Sequence, residues 1–180
     1  MIEQKFLLKD GRAAILRTPT EADAAQYLDL LKALAKETPF MLWTPEELNG
    51  FIPEYEAAFI RVMNDNPVAE PMVCEVDGVL VGEGRIIWDP RNRIRHRAQI
   101  LFGIRKDFWS LGIARAMFEV MLRTADKNRI TQLELEVNAE NARAIRLYEK
   151  LGFQKTGSIP NALRQSDGSC HDIIYMVRSM

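Results

Sequence analysis

Leu133-Glu-Leu-Glu-Val-Asn-Ala-Glu-Asn-Ala-Arg-Ala-Ile-Arg-Leu-Tyr-Glu-Lys-Leu-Gly-Phe153 carries two periodicities in succession, and the architecture follows from them. Leu133, Leu135 and Val137 alternate with Glu134, Glu136 and Asn138, the period of a half-buried strand. The period then lengthens. Ala144, Ile145, Leu147, Tyr148 and Leu151 share one face at helical spacing, and Gly152 supplies a left-handed stop. The stretch predicts a strand feeding a short helix, with residues 138–141 as a polar joint. Unpaired amides and the helix dipole point into such a joint, which makes it a place for a ligand.

A second turn of this kind lies upstream, in Arg97-Ala-Gln-Ile-Leu-Phe-Gly-Ile-Arg-Lys-Asp-Phe-Trp-Ser-Leu-Gly-Ile-Ala114. Residues 100–104 read as a central strand. Ile113, Met117, Val120, Met121 and Thr124 mark one face of the helix that follows, with Glu119 and Arg123 expected as an exposed pair on another. The turn has no Gly-Lys-Ser or Gly-Lys-Thr, so it is not a nucleotide P-loop.

Further out, Asp10-Gly11 turns a hairpin between Phe6-Leu-Leu and Ala13-Ala-Ile-Leu16. Thr20-Glu-Ala-Asp23 is a capping box, and Ala24, Leu28, Leu31 and Ala35 recur along the helix it starts. A second box, Thr44-Pro-Glu-Glu47, predicts one helix running to about Met63. Between them Phe40-Met-Leu-Trp43 is either a plug that packs the helices onto the sheet or a wall of an acceptor pocket. Residues 72–76 and 79–88 form a hairpin around Asp77-Gly78. Gly78, Gly82 and Gly84 are no dinucleotide fingerprint, because no helix follows. Arg91, Arg93, Arg95, His96 and Arg97 make a basic turn, which is either a solvated tip or an anion site. Residues 157–173 read as loop with a turn at Asp167-Gly168, and 173–177 as a closing strand.

The 180 residues are expected to form one domain, 1–180, without repeats or linkers. Hydrophobic content of 47% and charged content of 27% describe a soluble globular chain. No apolar run reaches the length of a membrane span, and the N-terminus lacks a signal-peptide pattern. A net charge of −1 gives no general pull toward nucleic acid or anionic membrane. Cys74 and Cys170 have no metal-ligand spacing and are too few for a disulfide framework, so a reducing cytoplasm is expected.

The stretch 133–153 closely resembles the second signature of the GNAT superfamily of acyl-CoA-dependent N-acyltransferases. The matching residues are Glu136-Val137, Asn141, Tyr148 and Lys150-Leu151-Gly152-Phe153. The turn at 109–114 is similar to that family's pyrophosphate loop. Gly112 and Ala114 match, whereas Trp109 stands where Arg or Gln belongs and Ser110 where Gly is common. Cys170-His-Asp-Ile-Ile-Tyr-Met176 resembles the family's last strand. The resemblance implies a mixed, mostly antiparallel twisted sheet, with helices on both faces, splayed between two central strands so that acyl-CoA enters the wedge. It implies main-chain contacts from Phe102 and Ile104 to the pantetheine arm. Pyrophosphate would be held by Ser110, Leu111, Gly112, Ile113, Ala114 and Arg115, with Asn141 bonding the arm. Acetyl-CoA is then the donor, without a metal, and a homodimer is compatible.

An amine with a pKa of about 10.4 must shed a proton before attacking a thioester, at roughly 4–5 kcal/mol at pH 7. Glu136 is the candidate base, since the ribosomal-protein alanine acetyltransferases carry a catalytic Glu at this point of the motif. It is equally an exposed strand carboxylate, or one that orients Asn141. Glu83 and Glu134 are weaker competitors. Tyr148 resembles the family's general acid beside the leaving sulfur. The implied activity is direct acetyl transfer to a primary amine. The acceptor is a small-molecule amine or, alternatively, a protein N-terminus. A non-catalytic acyl-CoA-binding protein is the rival that Trp109-Ser110 motivates, and nucleic-acid binding through 91–97 is the remaining one.

Overall fold

The computed structural model describes residues 1–180. The chain is α/β, with an eight-stranded, mostly antiparallel sheet in the order β1-β2-β3-β4-β5-β6-β8-β7, flanked by helices. It divides into two compact units: residues 1–87 with 101–124, and residues 88–100 with 125–180.

In the first unit β1 (Glu3–Leu7) and β2 (Ala13–Arg17) pair antiparallel about the expected turn. Thr20 N–H donates to the Asp23 carboxylate at 2.7 Å, one short 3-10 turn follows, and α1 (Ala24–Glu37) begins. Its buried face is Ala24, Tyr27, Leu28, Leu30, Leu34 and Ala35, with Leu31 only partly covered. The single helix expected from Thr44 to about Met63 is two: α2 (Pro45–Leu48) and α3 (Pro53–Asp65). Pro53 has no N–H to give the preceding turn and its ring crowds a continuing helix, so the chain restarts there with Pro at the first position. β3 (Ala69–Val76) and β4 (Val79–Trp88) pair across Asp77 and Gly78, both at positive φ. The core packs Tyr27, Leu30, Leu34 and Ile60 against Val73 and Leu80. Met41 joins it, while Leu42 and Trp43 remain exposed, so only part of the Phe40–Trp43 cluster is a plug.

β5 (Arg97–Ile104) crosses from one unit's residues to the other's, as does α4 (Ile113–Lys127). The expected apolar face of α4 is buried, but the exposed pairing differs. Glu119 accepts from Arg115, one turn back at 3.1 Å, and Arg123 donates to Gln4. Arg115 and Arg123 are both one turn from Glu119, so spacing alone could not choose between them.

In the second unit Arg97–Gln99 of β5 pairs parallel with Gln132–Glu134 of β6 (Gln132–Asn138). α5 (Ala142–Lys150) follows, stopped by Gly152 at φ 89°. The expected loop at 157–173 is largely strand: β7 (Gln154–Arg164) pairs with β8 (Cys170–Ser179), which pairs in turn with β6. β7 is exposed along most of its length and contains Pro160, tolerable on an edge strand, so it has no apolar alternation to read. Both cysteines are free thiols, Cys74 buried and Cys170 exposed.

Candidate active site

The first unit holds a loop whose candidate groups are backbone. Ser110 and Gly112 take left-handed φ of 65° and 104°, and α4 starts at Ile113. Such alternation turns successive N–H groups inward, and the first amides of a helix have no intrahelical acceptor. A Cβ on Gly112 would meet nothing within 4 Å, so glycine is required there by conformation, not by crowding. The left-handed φ of Ser110 explains why a glycine suits that place. These residues fit a pyrophosphate: amides and a helix N-terminus supply positive potential, with Arg115 an exposed cation on the first turn.

Trp109, the departure from the family pattern, has a structural use. Its indole N–H donates to the Ile104 carbonyl at 2.7 Å, tying the loop back to the end of β5. The loop is held from its other side by Lys9, whose N–H donates to the Leu111 carbonyl at 3.1 Å. The Ile104 carbonyl is thereby engaged within the chain.

Also in this unit, β4 carries a buried carboxyl. Glu83 accepts from the Tyr27 hydroxyl at 3.3 Å, and an Arg85 guanidinium nitrogen lies 3.7 Å from the same oxygen. Burial raises the Glu83 carboxyl above the usual range; burial and then the Glu83 charge raise Glu56 on α3 as well. Gly103, between Phe102 and Ile104, has its bare backbone against this carboxyl. A Cβ there would approach Leu34 to 2.9 Å and Glu83 Oε1 to 3.5 Å. Arg85 also stacks over Phe59, 5.7 Å from the ring centroid. Sequence reading finds Glu83 but not its contacts; the signal is two charges, Glu83 and Arg85, inside the otherwise apolar strand 79–88, with Gly82 and Gly84 flanking the carboxyl.

In the second unit the candidate groups are side chains. Asn141 caps α5, its Oδ1 accepting from Ala144 N–H at 3.1 Å. Buried Asn138 braces the same joint: its Oδ1 accepts from Glu140 N–H at 2.9 Å, and its Nδ2 lies 3.1 Å from His171 Nδ1. Glu136 is exposed and stands directly across from Tyr175, whose phenol donates to it. The Glu136 charge raises the Tyr175 phenol above its ordinary range. Glu134, by contrast, is committed. It accepts from Arg97 and from Gln132 at 2.6 Å, and the Arg97 guanidinium holds its carboxyl low. Tyr148 is buried edge-on to Phe153 with ring centroids 5.9 Å apart, and burial pushes its phenol up to about 12.

The basic turn resolves into pairs at its ends: Arg91 with Asp89 at 2.6 Å and Arg97 with Glu134. No group of three or more His, Cys, Asp or Glu is arranged to hold a metal. No helix is long and apolar enough to cross a membrane.

The Acetyltransferase (GNAT) family matches residues 29–153, and the chain belongs to it. The members of that family are enzymes that take acetyl from acetyl-CoA. An L-amino acid N-acetyltransferase, AaaT of Escherichia coli, is 33% identical over 116 residues, 63% of this chain and 70% of that enzyme. A [ribosomal protein bS18]-alanine N-acetyltransferase of Escherichia coli is 39% identical over 70 residues, 39% of this chain and 47% of that enzyme. In fold, a GNAT-family acetyltransferase from Streptococcus pneumoniae superposes with a TM-score of 0.83 at 24% identity, covering 93% of this chain and 99% of that one.

Proposed function

We propose that the chain moves acetyl from acetyl-CoA to the primary amine of a small acceptor by direct attack, residues 1–180 working as one acetyltransferase domain in the cytoplasm. The observation that carries this reading is the Ser110–Gly112 turn at the start of α4, a cradle of amides for a pyrophosphate. In this reading Ser110, Leu111, Gly112, Ile113, Ala114 and Arg115 hold the phosphates. Phe102 and Ile104 offer main-chain groups to the pantetheine arm, and Asn141 adds its side-chain amide nitrogen, its oxygen being used by the cap. An amino acid is the favoured acceptor, because the L-amino acid N-acetyltransferase relative aligns over more of both chains than the ribosomal-protein relative.

Glu136 takes the proton from the attacking amine, directly or through water. It is exposed, it accepts one phenol hydrogen bond, and its neighbour Glu134 is already spent on Arg97. Tyr148 serves the departing sulfur. A phenol near 12 lies roughly 3.5 units above a thiol of about 8.5, so complete proton transfer would be uphill by roughly 5 kcal/mol. Donation of a hydrogen bond to the developing thiolate is therefore its main contribution. Acetyl-CoA consumption over a panel of amino acids, other amines and N-terminal peptides, read by thiol release and product mass, tests the assignment. Binding of acetyl-CoA without thiol release for any of them would make the chain a binding protein instead.

A further inference from the structure

We infer that Glu83 and Arg85 are the acceptor's docking pair, and that the acceptor is a zwitterionic α-amino acid, its ammonium on Glu83 and its carboxylate on Arg85. The inference rests on the acetyl-transfer reading above and adds the class of acceptor and the residues that choose it. All the groups concerned belong to the first unit: Tyr27 of α1, Glu56 and Phe59 of α3, Glu83 and Arg85 of β4, and Gly103 of β5.

Glu83 is 3% exposed, and a carboxylate so buried needs close partners. It has two long ones, the Tyr27 hydroxyl at 3.3 Å and the Arg85 guanidinium at 3.7 Å. Ordinary charge-assisted bonds run about 2.7–2.9 Å, so the Glu83–Arg85 contact is loose. Nearby Glu56, also buried, adds to the local demand for a cation. A loose buried pair is one that an incoming ligand can exchange. Arg85 is the reachable member, with 26% of its side chain exposed and its guanidinium resting on Phe59.

The charges of the acceptor then follow. An amine without a carboxylate would take Glu83 and strand Arg85, while a carboxylate without an amine would strand Glu83. A zwitterion replaces both partners at once. The location suits the reaction as well, because Glu83 Oε1 lies against Gly103, between Phe102 and Ile104, which offer the main chain to the acyl donor. A side chain at Gly103 would also force Leu34 to shift, since its Cδ1 would stand 2.9 Å from the added Cβ.

The test uses the full chain with acetyl-CoA, and compares L-leucine with L-leucinamide, which keeps the amine and lacks the carboxylate. The expected kcat/KM is about thirtyfold higher for leucine, and Arg85→Met should cut that ratio below about threefold. Glu83→Gln keeps an acceptor for the Tyr27 hydroxyl and removes the charge; it should lower kcat/KM for leucine about thirtyfold with the KM for acetyl-CoA within about twofold. Equal use of leucine and leucinamide by the unaltered protein overturns the inference, and so does a leucine preference that survives Arg85→Met. Acetylation of leucinamide or peptide N-termini without that preference sinks the docking pair and leaves acetyl transfer standing. No thiol release with any amine would remove both.

Discussion

Two turns lead into helices in this chain, and they are made of different material. Residues 105–112, before α4, work through backbone: left-handed φ at Ser110 and Gly112, and main-chain ties from Lys9 to Leu111. Residues 138–141, before α5, work through side chains: Asn138 bracing the joint, Asn141 capping the helix, with Glu136 and Tyr148 on the elements to either side. A backbone site tolerates changes of side chain and fails when its conformation is refused. A side-chain site fails when one atom is removed. Correspondingly, the chain keeps the family signature at Asn141 and Tyr148 and departs from it at Trp109 and Ser110.

The sharpest attempt to break that contrast removes one oxygen. Tyr148→Phe should cut turnover about thirtyfold or more while acetyl-CoA affinity stays within about twofold. The burial that raises this phenol to about 12 keeps it protonated at higher pH than a free tyrosine. Turnover should therefore show no basic fall near pH 10 that Tyr148→Phe abolishes. The next largest effect belongs to the backbone turn. Gly112→Ala meets no atom but refuses φ 104°, and should weaken acetyl-CoA about tenfold in a calorimetric titration, with kcat little changed. Unaltered affinity would mean that the turn is no cradle.

Asn141→Ala tests capping and ligand contact together. Loss of the bond to Ala144 N–H should cost about 1 kcal/mol of stability, seen in denaturant unfolding without ligand. The smallest effect should be a gain. Ser110→Gly relieves a left-handed serine and should stabilise or leave stability within about 0.5 kcal/mol, with acetyl-CoA affinity retained.

Legibility in the sequence follows the same contrast. The strand 132–138, the Asn141 cap and the Gly152 stop are readable because period, cap and stop residues all agree over twenty consecutive positions. The break at Pro53 escapes such reading because the apolar pattern continues in period across the gap from α2 to α3. β7 escapes it because an exposed edge strand lacks the alternation that announces one. Of the candidate site, the residues within each signature are legible, and the long-range partners are not. Tyr175 lies 39 positions beyond Glu136, and Tyr27 lies 56 before Glu83, so only strand register and helix packing bring them together. The family resemblance implies main-chain contacts from Ile104 to a ligand, and only the fold reveals the indole bonded to its carbonyl.

That indole has a practical consequence. The chain has three tryptophans, and Trp109 alone among them is bolted to the Ile104 carbonyl, next to the turn at Ser110–Gly112. Its emission should respond when an anion rearranges the turn, and a chain carrying Trp43→Phe and Trp88→Phe would turn this residue into a built-in optical gauge of donor occupancy.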